Sequence, residues 1–94
     1  MVIIKWSDAA KSDLKGIIEY LSQDSPQYAE YLYERIFESI NNLKSFPEMG
    51  RRVPELKNPN MREIILQNYR IVYQYFEDKI EIITIFHGKR LLRV

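Results

Sequence analysis

Cysteine is absent from this chain of 94 residues, and histidine occurs once. Without cysteine there is neither a disulfide framework nor a zinc site built on thiolates. A single histidine cannot supply the two ligands of an HExxH-type zinc site. These absences fit a reducing compartment, so we expect a cytoplasmic protein that holds no metal ion and needs no cofactor.

Long apolar segments are lacking as well. No run approaches the roughly 20 residues that cross a bilayer. The apolar start at residues 2–4 ends at Lys5, which argues against a secretory signal peptide, so we expect no membrane association. The sequence also has no GxxxxGK[ST] phosphate loop and no serine in the context of a nucleophile elbow. Any catalysis would therefore use arginine, histidine, tyrosine or glutamate side chains.

The composition that remains is typical of a globular protein, 46% hydrophobic and 29% charged. A chain of this size predicts a single domain over residues 1–94. Its charges are unevenly placed: residues 1–50 contain five basic and eight acidic side chains, whereas residues 51–94 contain nine basic and five acidic ones. This asymmetry is either a chance distribution of solvated charge or a basic surface for a polyanion or an acidic partner.

The first half of the chain predicts one strand and two helices. Residues 2–6 are a β-branched run typical of a strand, and Ser7 is suited to cap the helix that follows. Ser25 and Pro26 predict a second helix start, with the serine as N-cap and the proline as first helical residue. Because the connection is so short, we expect an antiparallel helical hairpin. Gly16 lies within the first helix, where we expect it to admit a neighbouring backbone.

The second half predicts a loop and three strands. Residues 46–60 contain three prolines and a glycine and are expected to form a long loop, which is usually functional or flexible. Strands are predicted at residues 62–66, 69–76 and 80–86, with tight turns that make neighbours antiparallel. The predicted fold is α+β, in the order β-α-α-β-β-β, with the helical hairpin packed on a mainly antiparallel four-stranded twisted sheet.

The candidate site residues are basic side chains in the last half of the chain. Arg70, between apolar neighbours, either pairs with a carboxylate such as Glu63 on the adjoining strand or grips a phosphate by two parallel hydrogen bonds. His87, after the last strand, is either a packing residue or a general acid or base. The other candidates are either solvated or bind a target or nucleic acid: Arg51, Arg52, Arg62, Lys89, Arg90 and Arg93.

Four short motifs are spread along almost the whole chain. They are Trp6-Ser7 before the first helix, Phe46-Pro47-Glu48-Met49-Gly50-Arg51 in the loop, Tyr69-Arg70-Ile71-Val72-Tyr73 in a strand and His87-Gly88-Lys89-Arg90 after the last strand. In this order and spacing they resemble the RelE/ParE family of bacterial and archaeal toxins. The resemblance implies a toxin of a type II toxin–antitoxin pair that arrests growth and is neutralised by a cognate antitoxin protein.

The resemblance implies one of two activities. ParE-like members inhibit DNA gyrase, and the loop and the HGKR motif resemble that branch more closely, so gyrase is the favoured target, contacted by the basic C-terminal end. RelE-like members cut messenger RNA on the ribosome without a metal ion, and Arg70, His87 and Arg90 would then be catalytic. The chain lacks that branch's two lysines at residues 62–66 and its C-terminal tyrosine. A further alternative is a non-toxic module that binds a protein partner.

Overall fold

The computed structural model describes residues 2–88, which form two helices packed on a five-stranded sheet. The elements in chain order are β1 (Ile3–Trp6), α1 (Asp8–Asp24), α2 (Pro26–Asn41), a short 3-10 helix (Asn42–Lys44), β2 (Arg51–Arg52), β3 (Met61–Leu66), β4 (Tyr69–Phe76) and β5 (Lys79–His87). The predicted α+β class and the order of its principal elements are confirmed, and β2 is an addition to them. Within residues 2–88, no helix combines the length and the apolar character that a membrane span requires.

Serine caps define the start of both helices, as the sequence predicts. The Ser7 hydroxyl accepts a hydrogen bond from the Ala10 amide at 2.9 Å and donates one to the Ile83 carbonyl at 2.7 Å. Ser25 is the one residue between the helices, and its hydroxyl accepts from the Tyr28 amide at 3.2 Å. Each hydroxyl satisfies an amide that a helix start would otherwise leave without a partner.

The sheet has the strand order β1-β5-β4-β3-β2. β1 runs parallel to β5, whereas the other neighbouring pairs are antiparallel. The helical hairpin covers one face of the sheet, and the core lies between them. Its largest fully buried members are Tyr73, Leu32, Ile36, Leu43, Ile71, Ile80, Ile82 and Ile85.

The predicted four-stranded sheet is wrong by one strand. Arg51 and Arg52, predicted to lie in the loop, pair antiparallel with Glu63 and Arg62 and make β2 the edge of the sheet. A strand of two exposed residues has no alternation of apolar and polar side chains, so the sequence contains no pattern that predicts it. The strand forms because the edge of β3 is free to pair with it. Two charged side chains on this edge also discourage pairing with another chain.

The expectation that Gly16 admits a neighbouring backbone is wrong. A Cβ atom added at Gly16 would have no atom within 4 Å beyond its own helix and chain neighbours. The close approach occurs at Gly50, where an added Cβ would lie 2.7 Å from the Tyr73 hydroxyl and 2.8 Å from the Glu63 carbonyl oxygen. Gly50 therefore lets the chain pass directly over the sheet before it enters β2.

Candidate functional site

Strand alternation and register gather charged residues on the sheet face away from the helices. On β4, Ile71 and Tyr73 belong to the core, so Arg70 points to the other face. The register places Ile65 of β3 opposite Arg70, which makes Glu63 the diagonal neighbour of Arg70. β2 then places Arg51 directly opposite Glu63.

Arg70 is nearly enclosed by carboxylates and is 6% exposed. Its Nε donates to Oε1 of Glu63 at 2.6 Å, so the pairing with Glu63 that the sequence offered as one alternative is confirmed. Its two terminal nitrogens donate to the two carboxylate oxygens of Glu55, each at 2.7 Å. Hydrogen bonds to Glu55, followed by those to Glu63, raise the pKa of Arg70 against the opposing effect of burial, so the guanidinium stays charged.

Glu63 links Arg70 to β2. Its side chain has no exposed surface, and its second oxygen, Oε2, accepts from Nε of Arg51 at 2.7 Å. Arg51, Glu63, Arg70 and Glu55 thus form a chain of alternating charges, here called the ion-pair network. The four residues come from β2, β3, β4 and the loop between β2 and β3. A buried carboxylate is stable only when it is paired and hydrogen-bonded, and both oxygens of Glu63 meet that condition.

The loop after β2 brings Glu55 to this face. Val53 is 2% exposed, and the Leu56 amide donates to the Val53 carbonyl at 3.2 Å, which closes a turn. Pro54 occupies the second position of this turn, where its fixed φ angle is favourable, and Glu55 the third. The turn therefore presents the Glu55 carboxylate to Arg70.

Three predicted site residues share one cleft. Arg51, Arg70 and His87 line a cavity of about 230 Å³, and the other lining residues are Ile65, Gln67, Asn68 and Gly88. The His87 ring packs edge-on against Tyr69, with 5.5 Å between ring centroids. Burial raises the pKa of the Tyr69 hydroxyl, so Tyr69 is a neutral phenol beside His87 at ordinary pH.

The end of β5 is attached to the hairpin between β3 and β4. The Gly88 amide donates to the Asn68 carbonyl, and a Cβ atom added at Gly88 would lie 3.1 Å from that oxygen. The hairpin turn itself contains Gln67 at a positive φ of 54°. The chain therefore leaves the described region at the rim of the cleft. The candidates Lys89, Arg90 and Arg93 lie outside the described residues.

Two other candidates are placed elsewhere. Arg62 lies opposite Tyr73 in the register and donates to the Gly50 carbonyl at 2.8 Å and the Glu48 carbonyl at 3.3 Å. Arg52 is exposed and lies opposite Arg62 on the edge strand. The contacts of Arg62 hold the loop before β2, on the sheet face opposite to Arg70. Target binding by Arg52 and Arg62 stays a prediction.

Sequence reasoning missed Glu55 and the role of Tyr73. The Tyr73 hydroxyl donates to the Pro47 carbonyl at 2.8 Å and accepts from the Gly50 amide at 3.0 Å, so it fixes the start of the loop. The sequence does contain Gly50 directly before two arginines and Tyr73 in a core strand. It does not show that these two residues are in contact. Within residues 2–88, no group of three or more histidine, aspartate or glutamate side chains is arranged to hold a metal ion.

A second surface is an apolar groove on the helical hairpin. It has a volume of about 490 Å³ and is lined by Trp6, Lys11, Leu14, Lys15, Ile18, Glu19, Tyr33 and Phe37. Phe37 stacks on Trp6 with 5.3 Å between centroids, and Tyr33 packs on Phe37 at 4.8 Å. Tyr33 is 44% exposed and Phe37 40% exposed, which is unusual for contiguous aromatic side chains on a surface.

This chain is similar to a curated toxin in sequence and to chains of two toxin–antitoxin systems in fold. A curated relative, Toxin RelE2 from Caulobacter vibrioides, is 30% identical over 92 residues, which are 97% of this chain and 100% of that protein. The chromosomal ParDE toxin–antitoxin system from P. aeruginosa has a chain of the same fold, with a TM-score of 0.74, 23% identity and coverage of 93% of this chain and 96% of that one. The RelB–RelE antitoxin–toxin complex from Methanococcus jannaschii has a similar chain, with a TM-score of 0.59 and 20% identity. The match covers 90% of this chain and 91% of that one.

The family model described as the ParE toxin of the type II toxin–antitoxin system parDE matches residues 4–92. That match includes the strands and loop that build the ion-pair network. The predicted resemblance to RelE/ParE toxins is thereby confirmed, and the chain belongs to the ParE toxin family of type II toxin–antitoxin systems.

Proposed function

We propose that this protein is a ParE-like toxin that arrests growth by inhibiting DNA gyrase in the cytoplasm. The observation that carries the proposal is the pairing of Arg70 with Glu55 and Glu63. Two carboxylates occupy the guanidinium edges that would otherwise contact a scissile phosphate. A toxin that acts by binding gyrase needs no such phosphate contact, and the matching family model describes a ParE toxin.

The composition of the cleft also supports a binding function. Metal-free cleavage of RNA needs one group to activate the ribose 2′-hydroxyl and another to protonate the leaving oxygen. Among the described residues that line the cleft, His87 is the one whose type is suited to proton transfer near neutral pH. The arginines there serve to neutralise charge and not to exchange protons.

We further propose that a cognate antitoxin covers the apolar groove. Two of the solved relatives belong to a ParDE system and a RelB–RelE complex, so toxins of this fold assemble with antitoxins. The groove presents Tyr33 and Phe37 to solvent beside Lys11 and Lys15. Its chemistry fits an amphipathic helix that places apolar side chains on the aromatic residues and acidic ones beside the lysines.

The test is a gyrase supercoiling assay with relaxed plasmid DNA. The purified protein should inhibit supercoiling in a dose-dependent manner, and prior addition of the antitoxin should abolish the inhibition. Lys89→Ala combined with Arg90→Ala should weaken inhibition by about tenfold or more, equivalent to about 1.4 kcal/mol or more of binding free energy. Lys5→Ala combined with Lys57→Ala removes the same charge from exposed positions elsewhere and should inhibit normally. Active gyrase that is unaffected by saturating folded protein would contradict the proposal.

The alternative is a RelE-like, ribosome-dependent endonuclease that acts on messenger RNA. It is favoured by the cleft that brings Arg51, Arg70 and His87 together and by the relative named Toxin RelE2. In a translating extract, message ends produced by this activity should depend on the ribosome and disappear with His87→Gln. Gyrase inhibition in the first assay, with intact message in the second, would retire this alternative.

A further inference from the structure

The apolar groove continues past Trp6 and Phe37 into a second cavity. This cavity has a volume of about 380 Å³ and is lined by residues of β1 and of the C-terminal half of α2, namely Val2, Ile3, Ile4, Trp6, Phe37, Ile40, Asn41 and Lys44. Trp6 and Phe37 line both cavities, so one stacked aromatic pair lies at the centre of a continuous surface. We propose that a second copy of this chain binds this surface in the free toxin, with the two α2 helices antiparallel about a twofold axis at Phe37.

The residues that carry the proposal lie on one stripe of α2 and its continuation. Glu30, Tyr33 and Phe37 are spaced by three and four residues, which places them on the same side of the helix. All three are exposed, and so is Lys44 in the 3-10 turn that follows α2. Lys44 lines the second cavity together with Phe37, so it belongs to the same surface. The stripe therefore has a carboxylate at one end, aromatic rings in the middle and an ammonium group at the other end.

This order of charges is complementary to itself. In a twofold pair of antiparallel helices, residues before the axis on one helix face residues after the axis on the other. Glu30 and Lys44 are each seven residues from Phe37, about 10.5 Å before it along the α-helix and about 12 Å after it where the helix becomes 3-10. Each Glu30 thus faces the Lys44 of the second copy, and the two Phe37 rings meet at the axis. A parallel pair would place like charges together instead.

The two charged ends are available for such a contact. Within residues 2–88, neither Glu30 nor Lys44 forms a salt bridge, so pairing with a second copy breaks no existing ion pair. The ion pairs at the two ends set the antiparallel orientation. Burial of Tyr33 and Phe37, which are 44% and 40% exposed in the single chain, supplies the affinity, since aromatic side chains contribute most when they are desolvated at the centre of an interface.

The proposed pairing has a consequence for the antitoxin. An antitoxin that covers the apolar groove contacts Tyr33 and Phe37 as well, so it has to separate the two copies before it binds. The pairing uses neither Lys89 nor Arg90, the residues proposed to contact gyrase. A failure of the pairing therefore leaves the proposed gyrase inhibition untouched, and the reverse also holds.

Charge reversal tests the pairing. Glu30→Lys and Lys44→Glu each create two contacts between like charges, so each variant should raise the Kd of the dimer about tenfold or more. An equal mixture of the two variants should associate again, because every contact in the mixed dimer joins a lysine to a glutamate. Lys57→Glu is the matched control: Lys57 is exposed in the loop between β2 and β3, at the opposite edge of the sheet from β1, and its reversal should leave the Kd unchanged.

Sedimentation velocity over a range of protein concentrations, without antitoxin, measures the association. The mass of the wild type should rise from 11.3 kDa towards twice that value, whereas each charge-reversal variant alone should stay nearer the monomer mass. Recovery of association in the mixture also shows that both variants are folded. A wild type that stays monomeric at every concentration would overturn the proposal and leave the surface to a different partner. Equal Kd values for the wild type and the two variants, equal weakening by Lys57→Glu, or no recovery in the mixture would overturn it too.

Discussion

The hydroxyl group of Tyr73, in a core position of β4, lies 3.0 Å from the amide nitrogen of Gly50. The same hydroxyl donates to the Pro47 carbonyl, so one buried phenol holds both ends of the segment that leads from the helices into β2. The absence of a side chain at Gly50 permits this contact, because a Cβ atom there would collide with the phenol and with the β3 backbone.

Gly50→Ala and Gly16→Ala should change stability in opposite directions. The alanine methyl at position 50 would lie 2.7 Å from Tyr73 and 2.8 Å from the Glu63 carbonyl oxygen, so we expect a loss of about 1–3 kcal/mol. At position 16, in an open helical site, alanine should stabilise by about 0.5–1 kcal/mol. Urea unfolding of both variants measures the difference. A stable Gly50→Ala protein would show that the contact with Tyr73 is easily relaxed.

Tyr73 also predicts sensitivity to alkaline pH. Burial raises the pKa of Tyr73 above the ordinary tyrosine value, so its neutral form is favoured in the folded state. The stability that the neutral Tyr73 side chain contributes is present in full below about pH 10, the ordinary tyrosine pKa. It is lost as the pH rises through the higher pKa of the folded state. Tyr73→Phe should be less stable at pH 8 by about 1–3 kcal/mol, because the Gly50 amide loses its acceptor.

The same variant should lose less stability between pH 8 and pH 11 than the wild type does. Tyr31→Phe is the control, because Tyr31 is 48% exposed on α2, and its unfolding curves should match those of the wild type. Urea unfolding at the two pH values tests both statements. Parallel losses in Tyr73→Phe and wild type would contradict the assignment of alkaline sensitivity to Tyr73.

The buried carboxylate of the ion-pair network should be far more important for stability than a surface carboxylate. Glu63→Gln leaves Arg70 and Arg51 without a charged partner on one side, so we expect a loss of about 3–5 kcal/mol. Glu38→Gln breaks an exposed pair with Arg35 at 3.4 Å and should cost less than about 1 kcal/mol. Chemical unfolding of the two variants gives the comparison, and similar losses would refute a central role for Glu63.

The two serine caps should differ in importance. Ser7→Ala removes both the cap of α1 and the hydrogen bond to the Ile83 carbonyl of β5, so we expect a loss of about 2 kcal/mol. Ser25→Ala removes an exposed cap and should cost about 1 kcal/mol. Thermal unfolding of the two variants ranks them. A larger loss of stability in Ser25→Ala than in Ser7→Ala would contradict the expected contribution of the hydrogen bond from Ser7 to Ile83.

The sequence predicted those elements whose causes are local. Ser7 and Ser25 defined both helix starts, and the two-residue turn at Gln67 and Asn68 defined the hairpin of β3 and β4. The strand β2 was missed because two arginines have no periodicity and pair only when the edge of β3 is available. The close approach was assigned to Gly16 instead of Gly50 because the sequence does not show which backbone passes beside a glycine.

The sequence predicted only that part of the candidate site which follows from the local strand pattern. Strand alternation located Arg70 and offered Glu63 as its partner, since neighbouring strands place them diagonally. Glu55 was not anticipated, because a loop residue gains its neighbours from the path of the loop. Arg62 was grouped with the other basic candidates, yet register places it on the opposite face of the sheet. The roles of Lys89, Arg90 and Arg93 stay predictions.

The parallel pairing of β1 with β5 has a consequence for folding kinetics. The first described strand finds its partner only in the last one, as in the hydrogen bond from Ser7 to Ile83, which joins residues 76 positions apart. Contacts between such distant positions require a large loop to close before they stabilise the chain, and domains rich in them fold slowly. The hairpin of β3 and β4 can form early, whereas β1 and the N-terminal cap of α1 must wait for β5. Any mutation that weakens β5 should therefore slow the completion of both ends of the fold at once.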